Sequence, residues 1–241
     1  MRTTHFFIVL LLVAALSSCS QDEWISLFDG ESLDGWTANE NPDSWIIEDG
    51  AIVTSGERSH LFYTGALLDH SFRNFELSLE VMTTPGSNSG VYVHTEFQED
   101  GWPRKGYECQ VFNSAHPPAK PGDYVEKKMT GSIYAVRNVW KQVVPDNEWF
   151  SYRILVEGRT IRTFINDMPA SDYTEAEKFW RPEGWEGRKL NEEGGTFALQ
   201  CHDPGRRVAY RNIRVKPLPD NLPSPGTAIN DPVFDEQITR L

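Results

Sequence analysis

Basic charge is scarce in this chain: 23 Lys and Arg stand against 35 Asp and Glu, a formal charge of −12 over 241 residues. Phosphate backbones and anionic membranes are held by clustered cations, so nucleic acid and an electrostatic membrane contact are excluded as partners. Cysteine is scarce as well. Three residues, with no CxxC and no Cys/His zinc spacing, exclude a disulfide-stapled scaffold and a zinc module. No apolar run reaches the ~20 residues that span a bilayer. Helix-period patterns of convincing length, Ser-His-Asp or Cys-His patterns, and a phosphate-cradling glycine loop before a helix are all missing. Aromatic residues, by contrast, make up 12%, with eight Trp, and hydrophobic residues 39%. The length fits one all-β domain or at most two small domains, with a sizeable core.

The chain opens with Arg2 and no acid, then eleven unbroken apolar residues from Phe6 to Leu16, then Leu16-Ser17-Ser18-Cys19. The apolar run has signal-peptide length. The small residues before Cys19 resemble a bacterial lipobox, which implies cleavage after residue 18 and lipidation of Cys19; an ordinary cleavage site near Ser18 is the alternative. Either reading exports the chain. The expected location is a bacterial cell envelope, with membrane contact through the lipid anchor alone. Residues 19–23 form a short acidic tether, 24–217 the domain, and 218–241 a Pro-rich tail, extended along or leaving the domain, with a short terminal helix over Asp235–Leu241.

Within the domain, polar and apolar residues alternate with period two over Glu76–Val81, Gly90–Thr95, Glu108–Phe112, Trp149–Glu157, Thr160–Ile165, Gly195–His202 and Asn212–Lys216. Asp49-Gly50 and Asn166-Asp167 sit between apolar runs and predict tight hairpins. Short strands at this spacing predict a two-sheet antiparallel sandwich. Pro117–Thr130 and Ser171–Gly195 read as long loops, the second with a short helix over Thr174–Phe179. Cys109 and Cys201 either pair in an oxidising compartment or lie unpaired on strands.

Alternation also sorts side chains into faces. Asn88, Gly90, Tyr92 and His94 share one face. Glu108 and Gln110 oppose Cys109 and Val111; Gln200 and His202 oppose Phe197, Leu199 and Cys201. A solvated outer sheet face would produce the same alternation. This set, however, mixes donors and acceptors suited to sugar hydroxyls, unlike the Lys/Glu/Thr mixture of a plain solvated face. Glu108, between Tyr107 and Cys109, is either a partly desolvated carboxylate with a raised pKa or an ordinary exposed glutamate. Trp102, Trp180 and Trp185 lie in polar loops, either stacking on a pyranose or anchoring the loops in the core. His94, Glu108 and His202 are the residue types of a two-His, one-carboxylate divalent-metal set, but their spacing does not call for one, so no cofactor is expected.

In order along the chain, Ile25-Ser26-Leu27-Phe28-Asp29-Gly30, Leu33-Asp34-Gly35-Trp36, the Trp45–Val53 hairpin, Phe75-Glu76-Leu77, Gly86–Tyr92, Gly106–Val111, Thr130–Tyr134, Asn147-Glu148-Trp149, Gly195–His202 and Tyr210–Val215 resemble the 3-keto-disaccharide hydrolase domain family. The resemblance covers about residues 24–217. It implies a concanavalin-like jelly roll with a sugar site over the concave sheet. It also implies cleavage of glycosides that a separate oxidoreductase has oxidised to a ketone at C3. Departures are Asn113 where the family often has Asp, His94 where it often has Arg, and Asn166-Asp167 where Asn-Gly is usual. For such a substrate, Glu108 and His202 are the expected base and acid, in either order. Asn88, Tyr92, His94, Gln110 and Gln200 would orient hydroxyls, and Lys128 and Arg211 would contact the enolate or substrate. A non-catalytic, lectin-like surface lipoprotein would use the same face.

Overall fold

The computed structural model describes residues 23–115, 120 and 124–226. Cys19, the leader and the Asp235–Leu241 segment lie outside the described residues. Thirteen strands and two short 3-10 turns build the described fold: β1 (Ile25–Ser26), β2 (Trp36–Ala38), β3 (Trp45–Glu48), β4 (Ala51–Thr54), β5 (Ser59–Tyr63), β6 (Phe75–Thr83), β7 (Ser89–Thr95), β8 (Tyr107–Val111), β9 (Phe150–Glu157), β10 (Thr160–Ile165), β11 (Met168–Thr174), β12 (Thr196–Cys201) and β13 (Val208–Pro217). They form two antiparallel sheets of a jelly-roll sandwich. One has eight strands, ordered β11-β10-β9-β6-β13-β4-β3 with β1 paired to β13; the other has five, ordered β2-β5-β12-β7-β8.

Both expected hairpins form. Asp49 and Gly50 turn β3 into β4, and Asn166 and Asp167 turn β10 into β11, all four with the positive φ that a tight two-residue hairpin requires. The helix expected over Thr174–Phe179 does not form. β11 runs to Thr174, and an irregular loop continues to β12, its end tied where Glu175 N–H donates to Arg159 O at 2.8 Å. The tail packs on the domain as far as it is described: Leu218 N–H donates to Asn74 O at 2.9 Å, and Arg159 N–H donates to Ser224 Oγ at 2.7 Å.

The core fills the space between the sheets. From the larger sheet come Phe75, Leu77, Leu79, Val81, Tyr152, Ile154, Val156 and Val215; from the smaller, Leu61, Val91, Val93, Cys109, Val111, Phe197, Leu199 and Cys201. Cys109 and Cys201 are both buried here and both free, which settles the alternative left open above against a disulfide.

The two sheets differ on their outer faces. β6 and β9 alternate buried and half-buried residues, as a sheet with one wetted face should. β5, β7, β8 and β12 are buried at every position, although every second residue on much of β7, β8 and β12 is polar. Loops cover that polar face. A buried polar face is far more informative than an exposed one, because burying such groups costs free energy unless they are partnered or used.

Candidate active site

Over the β12-β7-β8 side of the five-stranded sheet lies a cavity of about 540 Å3. The strands provide its floor through Tyr92, Glu108, Gln110 and Gln200, and Asn88 and His202 border it at strand ends. Cross-strand register brings the floor together: Tyr92 stands opposite Glu108 and Ala198, and Gly90 opposite Gln110. Tyr92 OH donates to Glu108 Oε2 at 2.9 Å, and Gln200 Nε2 donates to Glu108 Oε1 at 3.1 Å. The Gln110 amide, with its nitrogen turned to Glu108 Oε1 and Ser89 O, reaches both at 3.2 Å. Gly90 leaves the room: a Cβ there would lie 2.8 Å from Glu108 Cγ and Oε1.

Glu108 is 8% exposed. Burial pushes its pKa up, against the pull of the Arg188 charge and the Tyr92 and Gln200 hydrogen bonds. A buried carboxylate with so few donors keeps proton affinity, as a general base requires. Beside it, His202 Nδ1 is 2.7 Å from Asp203 Oδ1. With Nδ1–H donated to Asp203, Nε2 is the nitrogen left to face a ligand. Two further polar atoms at the site are buried without a protein partner, Gln200 Oε1 and Arg188 Nη1. An orphan acceptor and an orphan donor here suit a hydroxyl and a carbonyl oxygen of a bound sugar.

The remaining walls come from loops. The β7–β8 loop supplies Trp102, Pro103 and Arg104; the segment before β9 supplies Glu126 and Tyr134; the β11–β12 loop supplies Trp185 and Arg188. Arg188 lies 5.3 Å over the Tyr92 ring and 4.9 Å over Trp185. Glu126 is a second carboxylate at the same cavity, but of opposite character. Its Oε1 accepts from Lys127 N–H (2.8 Å), Lys128 N–H (2.8 Å) and Lys128 Nζ (3.1 Å), and its Oε2 from the Tyr124 and Tyr134 hydroxyls (3.0 Å each). Burial pushes its pKa upward, yet the Lys128 and Lys127 hydrogen bonds and the Lys128 charge outweigh that and hold it low.

Six of the nine side chains singled out from sequence for catalysis or binding thus meet: Asn88, Tyr92, Glu108, Gln110, Gln200 and His202. His94 does not join them. Where β7 faces β12 the register slips, with Tyr92 paired to Ala198 and Thr95 to Thr196, and His94 sits at φ 54° in the bulge. The bulge turns its ring to the other side, against Phe75. There Nε2–H donates to Arg73 O at 2.9 Å and Nδ1 accepts from Asn191 N–H at 3.2 Å. Burial lowers its pKa to about 4. The His94, Glu108 and His202 trio therefore does not converge, and among the described residues no group of three or more His, Cys, Asp or Glu is placed to hold a metal. Arg211 lies on β13 in the other sheet, paired with Glu80 at 2.6 Å and stacked on Trp149. Lys128 stands one layer behind the wall, 1% exposed and engaged with Glu126, Tyr124 and Tyr134. Trp102 and Trp185 line the cavity; Trp180 does not.

Sequence reading missed Glu126, Tyr134, Arg104, Arg188 and His60. His60 stands opposite Gln200 on β5, fully buried, with both ring nitrogens unpartnered. Burial, reinforced by the Arg58, His202 and Arg188 charges, lowers its pKa to about 3. Only for Tyr134 was there a signal, its place in the Thr130–Tyr134 motif; the others lie in loops without periodicity or on a strand too apolar to show a face.

Over residues 23–216 the chain matches the domain described as 3-keto-alpha-glucoside-1,2-lyase-like. A 3-keto-disaccharide hydrolase of Bacteroides thetaiotaomicron is 27% identical over 230 residues, covering 82% of this chain and 79% of that protein. A crystal structure of a Parabacteroides distasonis protein, provisionally named a glycosyl hydrolase, matches with a TM-score of 0.69 at 23% identity, covering 81% of this chain and 94% of that one. A carbohydrate binding module of Bacillus subtilis matches at 0.50 and 13% identity, over 76% and 95% of the two chains. The last two share the fold.

Proposed function

The chain belongs to the 3-keto-alpha-glucoside-1,2-lyase-like domain family, and on that premise we propose that it is a carbohydrate-cleaving enzyme acting on 3-keto-glycosides, with Glu108 as the base. The observation that carries the reading is Glu108, buried beneath loops on a polar sheet face, with its proton affinity raised by burial.

A ketone at C3 acidifies the hydrogen on C2. Glu108 takes that proton, and the C2–H electron pair becomes the enolate of C2, C3 and the ketone oxygen. Arg188, the cation lining the cavity over Tyr92, is the group that stabilises the enolate oxygen. Collapse of the enolate restores the ketone, forms a C1–C2 double bond and breaks the C1–O bond. Protonated His202, oriented by Asp203, gives its Nε2 proton to the leaving oxygen. Water then adds, its hydroxide to C1 as His202 recovers a proton, and Glu108, whose acid proton has exchanged with water after the elimination, protonates C2, for net hydrolysis. An ordinary two-carboxylate glycosidase needs a second carboxyl group free to act. Glu126 has both oxygens fully engaged and is no such group.

Export by the leader, anchoring through Cys19 in the cell envelope, and supply of substrate by a sugar 3-oxidoreductase belong to the same proposal. The test is turnover by the purified domain of a 3-keto-glucoside and of its unoxidised parent. Cleavage of the first and not the second is expected; cleavage of neither, with binding of the unoxidised sugar, would replace the enzyme by a lectin.

A further inference from the structure

We infer that Trp102 is the platform for the leaving group, and that it makes the site selective for a leaving group that is itself a sugar ring. The inference rests on the proposed 3-keto-glycoside cleavage and adds the substrate's second half to it.

Trp102 is carried by the β7–β8 loop and is 39% exposed. It belongs to none of the hydrophobic clusters among the described residues. Around its ring stand His60 at 5.3 Å, His202 at 4.8 Å and the Arg58 guanidinium at 5.4 Å. His60 beneath it has both nitrogens unsatisfied. A tryptophan that anchors a loop by burial sits on aliphatic surface, so core anchoring does not account for this one.

The loop nevertheless holds the indole firmly at the cavity. Gln98 Nε2 donates to Trp102 O at 2.9 Å, and Gln98 Oε1 accepts from Arg104 N–H at 3.0 Å. Asn39 Nδ2 ties the loop to the sheet through Gly101 O at 3.0 Å. A pre-ordered, half-exposed aromatic face at a cavity is a ready surface for the apolar face of a sugar ring. Arg104 beside it supplies donors for that ring's hydroxyls.

Its position fixes which half of the substrate it meets. His202, the acid proposed for the leaving oxygen, lies against Trp102, whereas Arg188, proposed for the ketone oxygen, lies against Trp185. The oxidised ring therefore lies toward Trp185 and the departing group toward Trp102.

The experiment compares kcat/KM for a 3-keto-disaccharide and for methyl 3-keto-glucoside, in the wild type, Trp102→Ala and Trp102→Tyr. Trp102→Ala is expected to lose about 5- to 20-fold more on the disaccharide than on the methyl glycoside, with Trp102→Tyr recovering part of that difference. Equal losses on both substrates, or none on either, would overturn the inference. Should the wild type cleave neither, the proposed function fails. The platform is then judged by binding of an unoxidised disaccharide against methyl glucoside: a disaccharide preference abolished by Trp102→Ala upholds it, and an unchanged or absent preference rejects it.

Discussion

Glu108 and Glu126 are the same residue type, each 8% exposed, at the same cavity, and their environments drive them apart. Glu108, on strand β8, is met by a phenol and side-chain amides, with no cation bonded to it, so burial dominates and its proton is held to higher pH. Glu126, on a loop, accepts from two backbone amides, two phenols and an ammonium, so its negative charge is fixed. The lesson is that the donors and the charge around a carboxylate set the direction of its shift where solvent exposure is the same. One carboxylate keeps a raised proton affinity at the cavity floor; the other holds the wall that carries Tyr134.

Neutralising each carboxylate should separate the two roles most strongly. Glu108→Gln is expected to lose about 1,000-fold in turnover of a 3-keto-glycoside, the scale of a lost general base. The same change should raise stability. A raised folded pKa contributes stability below the ordinary carboxylate range and loses it as pH rises through the folded value. Burial disfavours the charged form of Glu108, so replacing the carboxyl group by a neutral amide should add about 1 kcal/mol, or about 2–4 °C in Tm. Gln200 can turn its unpartnered Oε1 toward the new amide. Glu126→Gln should do the reverse. It strands the buried Lys128 ammonium and is expected to cost about 3–5 kcal/mol in chemical denaturation. Equal stability changes in the two variants would remove the distinction.

A smaller effect is expected from Gly90→Ala. The new methyl would meet Glu108 Cγ and Oε1, the movable end of a side chain, so the fold should survive while the carboxylate shifts. Turnover should fall about 10- to 100-fold with little change in Tm, because displacing a reacting group by a fraction of its reach is costly. Full activity in this variant would show that the position of Glu108 is not critical.

The smallest effect is expected at His60. Its folded pKa of about 3 lies far below its ordinary value, so the unfolded chain takes up a proton below about pH 6.5 while the folded protein does not. Stability should fall as pH drops from 6.5 toward 4, with a slope of about 1.4 kcal/mol per pH unit from this group. His60→Phe should remove that share of the slope, leaving the similar share of His94, and change stability near pH 7 by about 1 kcal/mol or less. An unchanged pH profile of urea midpoints would show that His60 is partnered or accessible.

The polar sheet face was legible in the sequence because strand periodicity is a local property: Asn88, Tyr92, Glu108, Gln110, Gln200 and His202 sort by alternation alone. His94 was misplaced because a one-residue bulge inverts the face of what it displaces, and nothing in Val91–Thr95 marks it. Arg211 was misplaced for a different reason, since alternation gives a face but not the sheet to which a strand belongs. The loop walls were illegible altogether. Glu126, Arg104 and Arg188 reach the cavity through tertiary packing of aperiodic segments, and only the folded chain shows that Glu108 has a counterpart with the opposite charge behaviour. The scarcity of cations in the sequence likewise hid that one of the few, Lys128, is spent inside the wall.

The central claim is that Glu108 removes the hydrogen at C2 of a 3-keto sugar, and the most direct measurement is the fate of that hydrogen. With a 3-keto-glucoside deuterated at C2, followed by NMR in ordinary water, the wild type should release the deuterium as the glycoside is cleaved, and Glu108→Gln should release almost none. Cleavage that leaves the deuterium on C2, or undiminished release by Glu108→Gln, would contradict it.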